Sequence, residues 1–266
     1  EAAVSISAAI KGLDQSSVGN IVGSNIFNTL FILGASALFT PLLISKDMKK
    51  YDVPIMVGIY IVLILFSFVI SPLEILWYEG LIMFTLFAGY ITFLILRAKK
   101  NPPEVKVEVQ QDSKNKKKEI IKSIIFAILG LAGIVFGGTI VVDNAEIIAK
   151  ELGMSDWLVG LTILAVGTSL PELVTSIVAA IKKENDIAVG NVVGSNIFNV
   201  IGILGVSSMI SPLGLTSAHM LDMIVMLVSG LIILVTSLFT NKIGKVQGII
   251  IFLSYVAYLT FIIIRG

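Results

Sequence analysis

The sequence predicts an all-α polytopic membrane protein made of two inverted-topology five-helix repeats, with helices broken at the midplane. Three observations lead there. Of 266 residues, 56% are hydrophobic and only 14% charged, with a mean hydropathy of +0.98; a soluble domain carries about 25% charged residues. Apolar runs recur along the chain, each long enough to cross a hydrocarbon core of about 30 Å. Residues 1–43 also match residues 172–214 at a constant offset of 171, without a gap.

Reading apolar runs between polar punctuation places a helical stub at 1–10 and spans at 18–39, 52–71 and 75–97. The segment 98–119 is charged, contains prolines and is poor in apolar residues, so it reads as a flexible linker too short to bury a core. Helices follow at 120–149, 157–182, 187–211, 219–240 and 246–264. The expected organisation is a first repeat over 1–97, lacking its N-terminal helix and the start of its second, then the linker, then a second repeat over 120–266.

Composition narrows the chemistry. A net charge of +1 gives no electrostatic case for a nucleic-acid partner. With no cysteine, thiolate catalysis and thiolate-bound metals are excluded. The single histidine, His219, leaves no HExxH zinc site and reads as an interfacial residue near a helix end. Nothing suggests an organic cofactor. The first residues lack the basic start and apolar stretch of a signal peptide.

Orientation follows from Lys and Arg. With 98–119 in the cytoplasm and the spans alternating, sixteen of these residues lie inside and three, Lys11, Lys150 and Arg265, outside. That bias predicts a multi-pass plasma-membrane protein with its C-terminus outside. Trp77 and Trp157 then fall at the outer interface, where aromatic belts sit.

The repeat is the most informative feature. Glu1 falls on Glu172, Ser5 on Ser176, and Val22–Asn28 on Val193–Asn199, with 23 of 43 positions identical. Chance similarity between apolar helices would match Leu, Ile and Val, not polar residues at fixed spacing. Five spans separate equivalent points, so the copies enter the membrane from opposite sides, an architecture that puts a binding site near the midplane. The stretch before Glu172, back to Ile120, has no counterpart ahead of Glu1; the repeat predicts one, roughly fifty residues long (172 minus 120).

Within Ala165–Ser176, Gly167 and Pro171 are poor helix formers, and Pro171 removes the donor to residue 167. A break there frees carbonyls, tolerated at mid-membrane where they line a cavity or meet an ion. Thr168, Glu172 and Ser176 at i, i+4 and i+8 are expected on one face. Glu172 demands explanation, because an intramembrane carboxylate marks a functional site by default, and Glu1 is its twin. Asn191, Ser195 and Asn199 form a second stripe matched by Asn20, Ser24 and Asn28; ordinary interhelical hydrogen bonding competes with an ion role for these. Two carboxylates among neutral oxygens suit a hard cation. Ca²⁺ takes six to eight oxygens, whereas Mg²⁺ dehydrates reluctantly; Na⁺ can share the same hydroxyls and carbonyls.

Residues 167–172 (GTSLPE) and 190–199 (GNVVGSNIFN) resemble the second α-repeat of the sodium/calcium exchanger family, of prokaryotic type, and residues 1–43 most of its first. The resemblance implies a monomeric antiporter that exchanges Na⁺ for Ca²⁺ by alternating access. It implies Glu1 and Glu172 as the Ca²⁺ carboxylates. Thr168, Ser169, Ser195 and Ser24 would supply hydroxyl or backbone oxygens, Ala165 a carbonyl, and Asn28 and Asn199 amide oxygens. Helix 120–149, with Gly130, Gly133, Gly137 and Gly138, would slide against the rest. Potassium-dependent relatives carry Asp where this chain has Asn199, which argues against K⁺ co-transport. Proton-coupled relatives show GNAxE where this chain has Gly19-Asn20-Ile21 and Gly190-Asn191-Val192, which favours Na⁺. H⁺/Ca²⁺ exchange and, from a different class, a cation channel are the competing readings.

Overall fold

The structure is a computed structural model that describes residues 1–100, 121–126, 128–130, 132, 133, 136, 140, 147, 151 and 153–265. Helix α1 (Ala2–Ile10) leads through a turn into α2 (Asp14–Phe39). Short strand β1 (Leu42–Leu43), α3 (Met48–Ile70), β2 (Glu74–Ile75) and α4 (Trp77–Lys100) follow. The linker residues 101–119 lie outside the described residues, as does most of the helix expected at 120–149, Gly137 and Gly138 included. The described residues between 121 and 151 are helical, and a side chain added at Gly130 or Gly133 would meet nothing within 4 Å among the described residues.

The span expected at 157–182 is a bent pair, α5 (Asp156–Thr168) and α6 (Leu170–Ile181), which meet at 47°. Ser169 sits at the bend, between Gly167 and Pro171 as the helix-breaking residues require. Then come α7 (Asn185–Ile210), β3 (Leu213–Gly214), a 3₁₀ turn at Ser217–His219, α8 (Met220–Phe239), β4 (Lys242–Ile243) and α9 (Lys245–Arg265). Six described helices are long and apolar enough to cross a membrane, or seven with the bent pair. Helix α2 begins four residues before the predicted 18 and α4 runs three beyond 97. Polar first and last turns are invisible to hydropathy, yet Asp14 in the first turn and Arg97, Lys99 and Lys100 in the last suit the helix dipole.

The offset of 171 survives into three dimensions. It carries α2 onto α7 and β1 onto β3, residue for residue at both ends. Both helices also relax into a π-helical turn at the same place, Phe27–Ile32 and Phe198–Leu204. Strand β1 pairs antiparallel with β4, and β2 with β3. Helix α3 connects β1 to β2, and its 23 residues span about 34 Å at 1.5 Å per residue, so the two strand pairs lie at opposite ends of the bundle. Because α2 runs into β1 and α7 into β3, these helices point in opposite directions.

Two polar clasps tie the outer hairpins. At the α3–α4 hairpin, Tyr90 donates to Asp52 at 3.3 Å and Arg97 pairs with Asp52 and Asp47. At α8–α9, Tyr258 donates to Asp222 at 3.0 Å and Arg265 pairs with it at 2.8 Å. Trp157 joins the second clasp, donating to Asp222 at 2.8 Å and stacking on His219 at 3.7 Å between ring centroids. This corrects the aromatic-belt expectation. Trp77 is 59% exposed but Trp157 only 4%, because its N–H finds a buried carboxylate. His219 is likewise buried, and its Nδ1 accepts from the Thr216 N–H.

Candidate functional site

Toward the middle of α2 and α7 the Gly-, Ser- and Asn-containing first half gives way to a more apolar second half. Ser24 and Asn28 are the eleventh and fifteenth of 26 residues in α2, and Ser195 and Asn199 hold the same places in α7. The antiparallel helices therefore bring four polar side chains to mid-depth in the bundle. Gly23 permits α2 to lie directly on α5. A Cβ there would fall 2.5 Å from the Leu161 carbonyl oxygen and 2.7 Å from the Ala165 Cβ.

Around that level the oxygens converge. Ser169 donates to Glu1 Oε1 at 2.7 Å, joining α1 to the bend between α5 and α6. The Ser24 hydroxyl lies 3.4 Å from the Ala165 carbonyl and 3.5 Å from the Thr168 hydroxyl. Thr168 Oγ1 stands 2.8 Å from the Leu164 carbonyl and 3.1 Å from Asn20 Oδ1. These acceptors compete for its one proton. Ser195 faces Glu172, whose charge also interacts with that of Glu1. Two interacting carboxylates repel one another unless one is protonated or a cation lies between them.

Three acceptor oxygens here are buried with no hydrogen-bond partner among the described residues: Glu172 Oε2, Asn28 Oδ1 and Asn199 Oδ1. An orphaned buried acceptor costs about 1–3 kcal/mol, more when charged, a cost that a bound cation would relieve. Among the described residues no three His, Asp or Glu side chains cluster. The donors are two carboxylates, hydroxyls, amide oxygens and a carbonyl, the ligand set of a hard cation rather than of a transition metal.

Comparison with known proteins agrees with that chemistry. The family model described as sodium/calcium exchanger protein matches residues 1–96 and 122–264. The chain belongs to the sodium/calcium exchanger family. The CaxA protein of Alkalimonas amylolytica is 33% identical over 97% of this chain and 82% of its own. The sodium/calcium exchanger MaX1 of Methanosarcina acetivorans is 30% identical over 97% and 83%. Among solved structures, the sodium-calcium exchanger NCX_Mj soaked with 10 mM Na⁺ superposes with a TM-score of 0.76, at 28% identity, over 97% of this chain and 81% of the other.

Within this sodium/calcium exchanger chain, Glu1, Ser24, Ala165, Thr168 and Ser169 are linked by direct contacts, Ser195 and Glu172 face each other, and Asn28 and Asn199 stand opposite across α2 and α7. The sequence expectation of one face for Thr168, Glu172 and Ser176 holds only for the last two, which lie four apart on α6, because the bend at Ser169 separates Thr168 from them. Thr168 meets α2, whereas Ser176 accepts from Asn191 Nδ2 of α7 at 3.0 Å. The twin contact, Asn20 Nδ2 to Ser5 Oγ, is 2.8 Å. Asn20 and Asn191 therefore spend their amide N–H groups pinning helix pairs.

Sequence reasoning passed over Asn25 and Asn196. Asn25 Nδ2 donates to the Asn196 carbonyl at 3.1 Å, and its Oδ1 accepts from Asn199 Nδ2 at 2.9 Å. Asn196 Oδ1 accepts from Asn28 Nδ2 at 3.1 Å, while its own Nδ2 donates to Thr29 Oγ1 at 2.8 Å. Both are polar, fully buried and identical between the copies. The available signal was the i, i+3 spacing of Asn25 and Asn28, which shares a helix side but lies off the i, i+4, i+8 stripe.

Proposed function

We propose that this chain is a secondary antiporter that exchanges Na⁺ for Ca²⁺ across the membrane through one mid-depth site that alternates in access. The observation that carries the reading is a pair of interacting carboxylates, Glu1 and Glu172, in a bundle that also buries the amide oxygens of Asn28 and Asn199 with no partner among the described residues. The two carboxylates balance the charge of Ca²⁺. Ser24, Thr168, Ser169, Ser195 and the Ala165 carbonyl complete its oxygen shell or hold Na⁺ in its place. Na⁺ and Ca²⁺ are substrates, and their shared oxygens make occupancy by one exclude the other. Several Na⁺ per Ca²⁺ make the exchange electrogenic.

The antiparallel course of α2 and α7 supports two inverted repeats, the first ending with α4 and the second running from the helical residues at 121 to α9. The segment between them lies in the cytoplasm, the C-terminus outside, and the protein works as a monomer in the bilayer. The test is Ca²⁺ uptake by the full-length protein in proteoliposomes. Na⁺-loaded vesicles should accumulate Ca²⁺ on dilution into Na⁺-free buffer, faster with a K⁺/valinomycin potential negative outside. Uptake driven by a pH gradient and indifferent to Na⁺ would overturn sodium coupling, and ohmic, unsaturable current would make the protein a channel.

A further inference from the structure

Each buried amide of the Asn25, Asn28, Asn196 and Asn199 quartet has a direction set by its neighbours, beginning at the Asn196 backbone carbonyl. A carbonyl only accepts, so the Asn25 side chain must present Nδ2 to it, at 3.1 Å. The Oδ1 of Asn25 then faces Asn199, which must answer with Nδ2, at 2.9 Å. With its amide nitrogen engaged, Asn199 turns Oδ1 to the other side, where it is buried and unpartnered.

Across the pseudo-symmetry the roles of the asparagines reverse. Asn196 aims Nδ2 at Thr29 Oγ1, 2.8 Å, and toward the Met56 thioether, 3.7 Å, an acceptor without a proton to give. Its Oδ1 therefore faces Asn28 Nδ2 at 3.1 Å, and Asn28 Oδ1 is left buried without a partner. The roles exchange at the offset of 171: Asn25 holds Asn199, and its twin Asn196 holds Asn28, the twin of Asn199. Each asparagine is fully buried. Both held residues lie in the π-helical turns, a distortion common at functional sites.

We propose that Asn25 and Asn196 are positioning residues that lock the amides of Asn199 and Asn28, each across the repeat boundary, with their oxygens toward the transported cation. This rests on Asn28 and Asn199 acting as ligands. An unlocked amide can rotate and present its N–H₂ group to the ion, which repels a cation. The lock also makes each half of the site depend on the other, since neither repeat orients its own amide.

A double-mutant cycle on the full-length protein, read by Ca²⁺ titration calorimetry alongside melting temperature in Ca²⁺-free buffer, tests the lock. Outer-shell partners of metal ligands typically contribute about 10- to 100-fold in affinity, so Asn25→Leu should weaken Ca²⁺ binding about 10-fold or more. In an Asn199→Leu background the same change should add less than about 3-fold, because a positioning residue acts only through the group it positions. Multiplicative effects, or unchanged affinity in Asn25→Leu, would overturn the proposal. The mirror cycle, Asn196→Leu with Asn28→Leu, carries the same expectation and serves where the first variant does not fold. If Asn199→Leu binds Ca²⁺ like the parent, the ligand reading has failed; if Asn199→Leu weakens binding and Asn25→Leu does not, only the lock has failed.

Discussion

Glu172 Oε2 is buried without a hydrogen-bond partner while a second carboxylate, Glu1, lies close enough to repel it. Neither feature stabilises the folded chain; together they are relieved by a divalent cation. Glu172→Gln removes half of the balancing charge and offers N–H₂ where the ion needs oxygen. Ca²⁺ uptake into Na⁺-loaded vesicles should then fall to background with the protein still monodisperse, and retained transport would reduce Glu172 to a packing role. Glu172 stood out in the sequence because a carboxylate in an apolar stretch has few alternatives. Asn25 was harder to read, since nothing local separates an asparagine that holds an ion from one that holds another asparagine.

Helix contacts set the distances at the site. The approach of α2 to α5 depends on Gly23, where a methyl group would overlap the Leu161 carbonyl and Ala165. Gly23→Ala should push the helices apart, cost about 1–3 kcal/mol and draw Ser24 away from the Ala165 carbonyl. The measurable outcome is a large loss of Na⁺-dependent Ca²⁺ uptake with a modest fall in melting temperature. At Gly194, its twin, a Cβ meets nothing within 4 Å among the described residues. The clasps differ in a similar way. Asp222 is fully buried, whereas Asp47 is 52% exposed. Arg265→Ala leaves a buried carboxylate uncompensated, at about 3–5 kcal/mol, but Arg97→Ala breaks a wetter pair worth about 1 kcal/mol or less. Thermal unfolding in detergent should rank them in that order, and equal effects would mean that Asp222 finds another partner.

For the whole molecule, inverted topology places repeat-related residues on opposite sides of the membrane. Lys11 and Lys182 are such a pair, and both are exposed. The chain has no cysteine, so single Lys11→Cys and Lys182→Cys variants report without background. In right-side-out vesicles an impermeant maleimide should label Lys11→Cys and spare Lys182→Cys. Labelling of both from one side would dismiss the inverted arrangement. The same experiment at Lys46, expected inside, fixes which end of the bundle faces the cytoplasm.

By itself the sequence determined the helical membrane class, the duplication, the break near Pro171 and the residue types that gather at mid-depth. Each is written in local pattern: apolar run length, a repeated string of polar residues, a proline, a carboxylate where lipid forbids one. Tertiary structure alone decided which side chains meet. The bend at Ser169 turned Thr168 toward α2 and left Ser176 to Asn191, and Trp157 went inward because Asp222, 65 positions away, offers an acceptor. The asparagine quartet was decided the same way. Its hydrogen bonds span 168 to 174 positions, and an amide's direction depends on what lies across the contact, which no local pattern encodes.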